Sequence, residues 1–211
     1  MAVGDESVVL GVDPGLTRCG LGVVVGPSSR PRVRWHHCVR TAPDQPLEQR
    51  LLVVHDAILD AVAEHQPTAV AVERVLFSAN ARTAMATGQA AGVALLAAAR
   101  SGVEVTSYSP NEVKQTVAGS GAADKDAVGR LVAAQLGLAE PPKPPDVADA
   151  LAVALTHLAR DRIATAARGT AAAGTLAEAH AAARSASQGG WEAVLGDRIP
   201  GPTAPPAGGR R

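Results

Sequence analysis

Residues 7–25, SVVLGVDPGLTRCGLGVVV, carry the reading of the fold. The run 7–13 is short, apolar and β-branched, and it stops at Asp-Pro-Gly. Proline fixes φ there and glycine admits a turn, so a strand ends at Asp13. A second strand is predicted over 19–25 (CGLGVVV) and a third over 32–39 (RVRWHHCV). Links this short join antiparallel neighbours. Residues 46–65 then take helical periodicity, with Leu51, Leu52, His55, Ile58, Leu59 and Val62 sharing one face and Pro46 suiting the first turn. A buried strand is predicted over 68–73 (TAVAVE), a long helix over about 80–100 and a strand over 103–108 (VEVTSY). Helices follow over about 109–118, 124–136 and 145–160. A three-strand meander followed by alternating elements predicts an α/β fold: a mixed five-stranded sheet with helices on both faces.

The composition sets limits. The 46% hydrophobic content of this 211-residue chain is mostly Ala and Val, and Trp35, Phe77, Tyr108 and Trp191 are its four aromatic residues. Small side chains bury little area each, so such a core needs close backbone approach. The net charge is zero, and a nucleic-acid partner must then be met by local charge placement, not by the sum. Basic residues are skewed to 17 Arg against three Lys, at 114, 125 and 143. Cys19 and Cys38 form no CxxC pair, and no His/Cys cluster has zinc spacing. The acidic start MAVGDESVVL is unlike a signal peptide, and no stretch approaches a membrane span. A cytoplasmic protein without membrane attachment is expected.

Four carboxylates stand out. Asp13 ends the first strand and Glu73 ends the fourth, and open α/β sheets place their sites at strand ends. Asp146 and Asp149 lie three apart at the start of a predicted helix and so face one way. Taken singly, Asp13 is an ordinary turn former and Asp146 an ordinary helix cap. Glu73 is less ordinary, because Glu rarely closes a buried strand without a partner. Three segments bringing acids to one place suit Mg²⁺, a hard cation bound by carboxylates and phosphate. Two such ions about 4 Å apart can serve in-line phosphoryl displacement.

Four blocks, GVDPGLTRCGLGVV, AVERVLFSANARTAMATGQAAG, YSPNEVKQTVAGSGAADKDAV and PDVADALAVALTH, resemble in order those of the RuvC family of Holliday-junction resolvases, over about residues 7–160. The resemblance implies an RNase H-like fold and a structure-specific endonuclease acting in recombination and DNA repair. It implies a homodimer, Mg²⁺ (or Mn²⁺) with two ions per subunit, and paired, symmetric nicks in strands of like polarity. Four-way junction DNA and the RuvA and RuvB branch-migration complex are the implied partners. Asp13, Glu73, Asp146 and Asp149 fall on the family's catalytic, metal-binding acids, and Lys114 and Lys125 on lysines lining its DNA path. Lys143, just before Asp146, joins them as a candidate DNA contact. The family commonly has an aromatic three residues after the Glu, near the junction bases. That position is Leu76 here, and the aromatic is Phe77, so either is a candidate.

Residues 1–163 are thus expected to form the nuclease domain. Residues 164–211 are Ala/Gly/Pro-rich and are expected to be a largely disordered tail, with a possible helix at 175–186. The 80–100 helix is small and apolar on nearly every side, and Met85, Gly88 and Gly92 form a stripe suited to a dimer interface. Asp13 to Thr17 also has the D-x-G-x-T shape of sugar-kinase and Hsp70-type phosphate loops. A second such loop is missing, and there is no Walker A motif. A junction-binding module without catalysis and the related ribosomal-RNA-processing nuclease are further readings. The block VKQTVAGSGAADK argues against the latter. The histidines lack ligand spacing and are assigned core or surface roles.

Overall fold

The computed structural model describes residues 7–74 and 81–171. In chain order the elements are β1 (Val8–Asp13), β2 (Arg18–Val25), β3 (Arg32–Arg40), α1 (Leu47–His65), β4 (Ala69–Glu73), α2 (Ala81–Arg100), β5 (Glu104–Tyr108), α3 (Pro110–Ala118), α4 (Lys125–Leu136) and α5 (Pro145–Ala171). The sheet order is β3-β2-β1-β4-β5. The β1–β2 and β2–β3 pairs are antiparallel, and β1–β4 and β4–β5 are parallel. This is the expected mixed five-stranded sheet. The chain divides after Ile163 into two units, and the sheet and every site residue below belong to the first.

Strand alternation sorts the core into two layers. Val8, Leu10 and Val12 of β1 pack with Val54 and Ile58 of α1 and Ala94, Ala97 and Ala98 of α2. Val9 of β1, Val24 of β2 and Ala71 of β4 point the other way, to Val113 of α3, Val128 and Val132 of α4 and Leu151 and Val153 of α5. Residues two apart share a face, so Asp13 follows Val9 and Gly11 toward α5, and Glu73 follows Ala71.

Glycine lets α5 lie flat on this face. A Cβ at Gly11 would collide with the Ala150 carbonyl oxygen, and one at Gly20 with that of Asp146. Backbone contact of this kind replaces the side-chain bulk that an Ala/Val core lacks.

Three expectations about helices change. Helix α1 buries Ile58 and Val62 as expected, together with Val54 and Ala61; Leu59 packs partly buried against the same core, and of the expected face Leu52 is half exposed. Four consecutive apolar residues, 51–54, make the periodicity ambiguous, and packing against both sheet and α2 selects the turn containing Val54. Pro46 is the N-cap of α1 and not a residue of its first turn. Helix α5 runs to Ala171, beyond the expected end near 160. The expected helix at 175–186 and Trp191 lie outside the described residues.

Candidate active site

Parallel pairing aligns the first two acids. Val12 of β1 is opposite Val72 of β4, so Asp13 and Glu73, one residue further on each strand, end side by side and hydrogen-bond to each other. Burial, then the charges of Glu73 and Asp149, push the Asp13 carboxyl well above the usual carboxylate range. Glu73 is also pushed up, by burial and then by Asp149, against the opposing pull of its hydrogen bond to Asp13 and the charges of Lys125 and Lys114. Two buried carboxyls this close disfavour ionising together.

The start of α5 supplies the other two. Gly20, which pairs with Asp13 across β1–β2, meets the Asp146 backbone, and this contact seats the helix end over the strand end. Asp146 and Asp149 then project on the sheet side of the first turns. Arg18 Nε at the start of β2 lies 3.2 Å from Asp146 Oδ2, but that buried oxygen accepts no hydrogen bond. Lys125 Nζ at the start of α4 lies 2.6 Å from Asp149 Oδ2. Partial burial works against the Lys125 charge, and the hydrogen bond and charge of Asp149 outweigh it, so its pKa is raised.

A groove of about 230 Å³ opens beside the acids, lined by Glu73, Asp149, Lys114 and Lys125 with Pro110, Val113, Val128 and Ala152. Two of the three lysines therefore converge on the acids. Lys143 is exposed and lies outside the groove lining. Leu76 and Phe77 lie outside the described residues. Met85 is exposed on α2, and space is open around Gly88 and Gly92. Both cysteines are free.

Sequence reasoning missed three participants. Arg18 was one of 17 arginines, with no signal beyond its nearness to Asp13. Arg74, just after Glu73, donates through Nη2 to Glu112 Oε2 at 2.7 Å. Glu112 also accepts from Ser109 N and Oγ, both at 2.8 Å, and from Arg160 Nη1 of α5 at 2.9 Å. The Ser109 backbone and side-chain hydrogen bonds, aided by Arg160, hold the Glu112 carboxyl down at about 2. The capping box SPNE was a legible signal for α3, but its reach to β4 and α5 was not. His157 hydrogen-bonds Tyr108 through Nδ1 at 3.0 Å, and burial lowers its pKa, in keeping with a packing role.

The donor set fits a hard divalent cation: carboxyl oxygens from three segments, two of them side by side at strand ends, and an orphaned buried oxygen on Asp146. Among the described residues, no three of the acids already converge at ligating distance. Arg18 lies against Asp146 and Lys125 against Asp149.

The family model for "Crossover junction endodeoxyribonuclease RuvC" matches residues 9–157. A protein of that name from Salinispora arenicola is 52% identical over 164 residues, covering 75% of this chain and 94% of the relative. The chain belongs to the RuvC family. A RuvC relative from Saccharopolyspora erythraea is 49% identical and covers 83% of this chain and 84% of its own length. The solved structure of T. thermophilus RuvC in complex with Holliday junction substrate superposes with a TM-score of 0.72 at 41% identity, over 75% of this chain and 97% of that one. The yeast mitochondrial Holliday junction resolvase, at TM-score 0.53 and 13% identity, shares the fold. RuvC-family nucleases are metal-dependent. No helix among the described residues is long and apolar enough to cross a membrane.

Proposed function

We propose that this RuvC-family chain resolves Holliday junctions by metal-dependent hydrolysis of one phosphodiester in each of two strands of like polarity. The observation that carries the proposal is the meeting of Asp13, Glu73, Asp146 and Asp149, from two parallel strand ends and one helix start, beside a groove lined by Lys114 and Lys125. The four acids would hold Mg²⁺, or Mn²⁺ in its place, two per subunit. Such ions activate water and stabilise the departing oxygen. Asp13 and Glu73, whose burial and mutual repulsion favour the protonated form, would have to be ionised to hold the ion. Lys114 and Lys125 draw the phosphate backbone to the groove, and the overall neutral charge leaves attraction confined to it.

Paired nicks need two sites, and α2 suits a homodimer. Ala90, Ala94, Ala97 and Ala98 face the core, whereas Met85, Leu95 and Leu96 are exposed along the opposite side with Gly88 and Gly92. Two copies of this helix about a two-fold axis would place identical sites symmetrically. RuvA and RuvB would deliver the junction. A cytoplasmic location follows from that role. Leu76, Phe77 and Lys143 remain candidate DNA contacts, and residues 164–211 a tail outside the nuclease.

The test is substitution of the acids. Asp13→Asn, Glu73→Gln, Asp146→Asn and Asp149→Asn should each abolish cleavage of a labelled four-way junction and retain its binding in a gel-shift titration. Ligation, and not DNA contact, is their task. Near-wild-type cutting by Glu73→Gln would overturn the four-acid site.

A further inference from the structure

Asp146 and Asp149, at the start of α5, are each matched by one cation from elsewhere in the fold. Arg18 of β2 reaches Asp146 and Lys125 of α4 reaches Asp149. Neither cation is explained by local structure. Lys125 is the first residue of α4, behind the Asp124 cap, where the helix dipole disfavours positive charge. Arg18 pairs with Arg40 across β2–β3, and like charges directly opposite destabilise a strand pair. Both side chains are more than half exposed, at 55% for Arg18 and 66% for Lys125, whereas Asp146 and Asp149 are 15% and 23% exposed. The anions are seated and the cations can leave. The Arg18 contact is loose as well, since it makes no hydrogen bond to the oxygen it approaches.

We propose that Arg18 and Lys125 act as built-in counter-ions of Asp146 and Asp149 in the metal-free protein, and pass to DNA phosphates when a divalent cation takes those carboxylates. The proposal rests on the metal-dependent junction reading above. Released Lys125 lies beside Lys114 in the groove. Released Arg18 lies beside Arg40, and the two like charges that repel each other in the free protein then suit a phosphate between them. Metal and junction thus bind with positive coupling, each favouring the other by the same factor. The device keeps four close carboxylates tolerable without metal and reserves two phosphate contacts for the loaded enzyme.

The experiment uses the full chain, a four-way junction and Ca²⁺ in place of Mg²⁺, so that binding is read without turnover; a gel confirms that the junction stays intact. Junction affinity is measured against monovalent salt for the wild type and the Arg18→Met/Lys125→Met double variant, in EDTA and in Ca²⁺. Each phosphate contact contributes about one unit to the slope of log K against log salt. The two proteins should have equal slopes in EDTA and differ by about two units in Ca²⁺. In Ca²⁺ titrations without DNA, Lys125→Met should bind the ion roughly two- to fivefold more tightly, the range an exposed ion pair commands. Lys114→Met, which removes a charge that acts on Glu73 without an ion pair to Asp146 or Asp149, should change it less. A two-unit difference already present in EDTA overturns the proposal, because the cations then meet DNA without being released. Equal slopes in Ca²⁺, or equal effects of Lys114→Met and Lys125→Met on ion affinity, overturn it too. Cleavage with Mg²⁺ is assayed on the same preparation. A chain that cuts junctions yet fails these tests loses only this proposal, and a chain that binds no junction loses the functional reading with it.

Discussion

A carboxylate can ligate a metal only after losing its proton, and its neighbours decide what that costs. Asp13 and Glu73 sit where burial and mutual repulsion favour the protonated form, while Asp146 and Asp149 are compensated by Arg18 and Lys125. Glu112 is the opposite case. Its carboxyl is held ionised by Ser109, Arg160 and Arg74, and it ties the residue after Glu73 to α3 and α5. Its folded pKa of about 2 lies below the ordinary glutamate value. Its contribution to stability is therefore fully present above that ordinary value and is lost as pH falls toward 2. Glu112→Gln should lower the melting temperature at pH 7 and flatten the acid-side loss, read by circular dichroism melts from pH 2 to 7. A mutant curve parallel to the wild type would show that Glu112 does not carry that acid sensitivity. Among the lysines, Lys114→Ala should weaken junction binding and lower the salt slope by about one unit. An unchanged slope would take Lys114 off the DNA path.

The strands and most helix starts were legible because period-2 and period-3.6 patterns and turn residues act locally. The meander, both parallel strands and the capping box of α3 follow from short windows of sequence. The four candidate acids could be picked out as a set because Asp13 and Glu73 end strands, Asp146 and Asp149 share the first turns of one helix, and the surrounding blocks resemble those of the RuvC family. Which of residues 51–54 turns inward was not legible, since all four are apolar and only contact with α2 and the sheet selects Val54. Nor were Arg18 and Arg74, whose partners lie 128 and 38 residues away. Such pairings depend on how α5 and α3 settle over the sheet, which no local pattern encodes. Glycine controls that settling at Gly20. Gly20→Ala should lift the start of α5 off β2, destabilise the fold by about 1–3 kcal/mol and reduce cleavage well beyond the stability loss. Full activity in a folded Gly20→Ala protein would show that the helix start does not need this contact. On α2, Gly88→Leu should shift the protein toward monomer by sedimentation velocity and turn paired nicks into single ones. A dimer that still resolved junctions would remove α2 from the interface.

At the scale of the whole molecule, a chain of zero net charge would, on the proposed function, meet DNA through the lysines placed in its groove and not through a broad basic surface. Residues 165–211 are rich in Ala, Gly and Pro, a composition that offsets little ordering entropy by burial. Their deletion should leave thermal cooperativity and cleavage intact; a truncated chain that melted without cooperativity would assign them a packing role. The central claim is that four acids from three segments cut a four-way junction symmetrically with the help of a divalent cation. The most direct measurement maps the cuts in each end-labelled strand of a synthetic four-way junction, with Mg²⁺ and with EDTA. Paired cuts at symmetric positions in two strands of like polarity, present with Mg²⁺ and absent with EDTA, are the predicted result. Cutting that survives EDTA, or an intact junction under Mg²⁺, would contradict it.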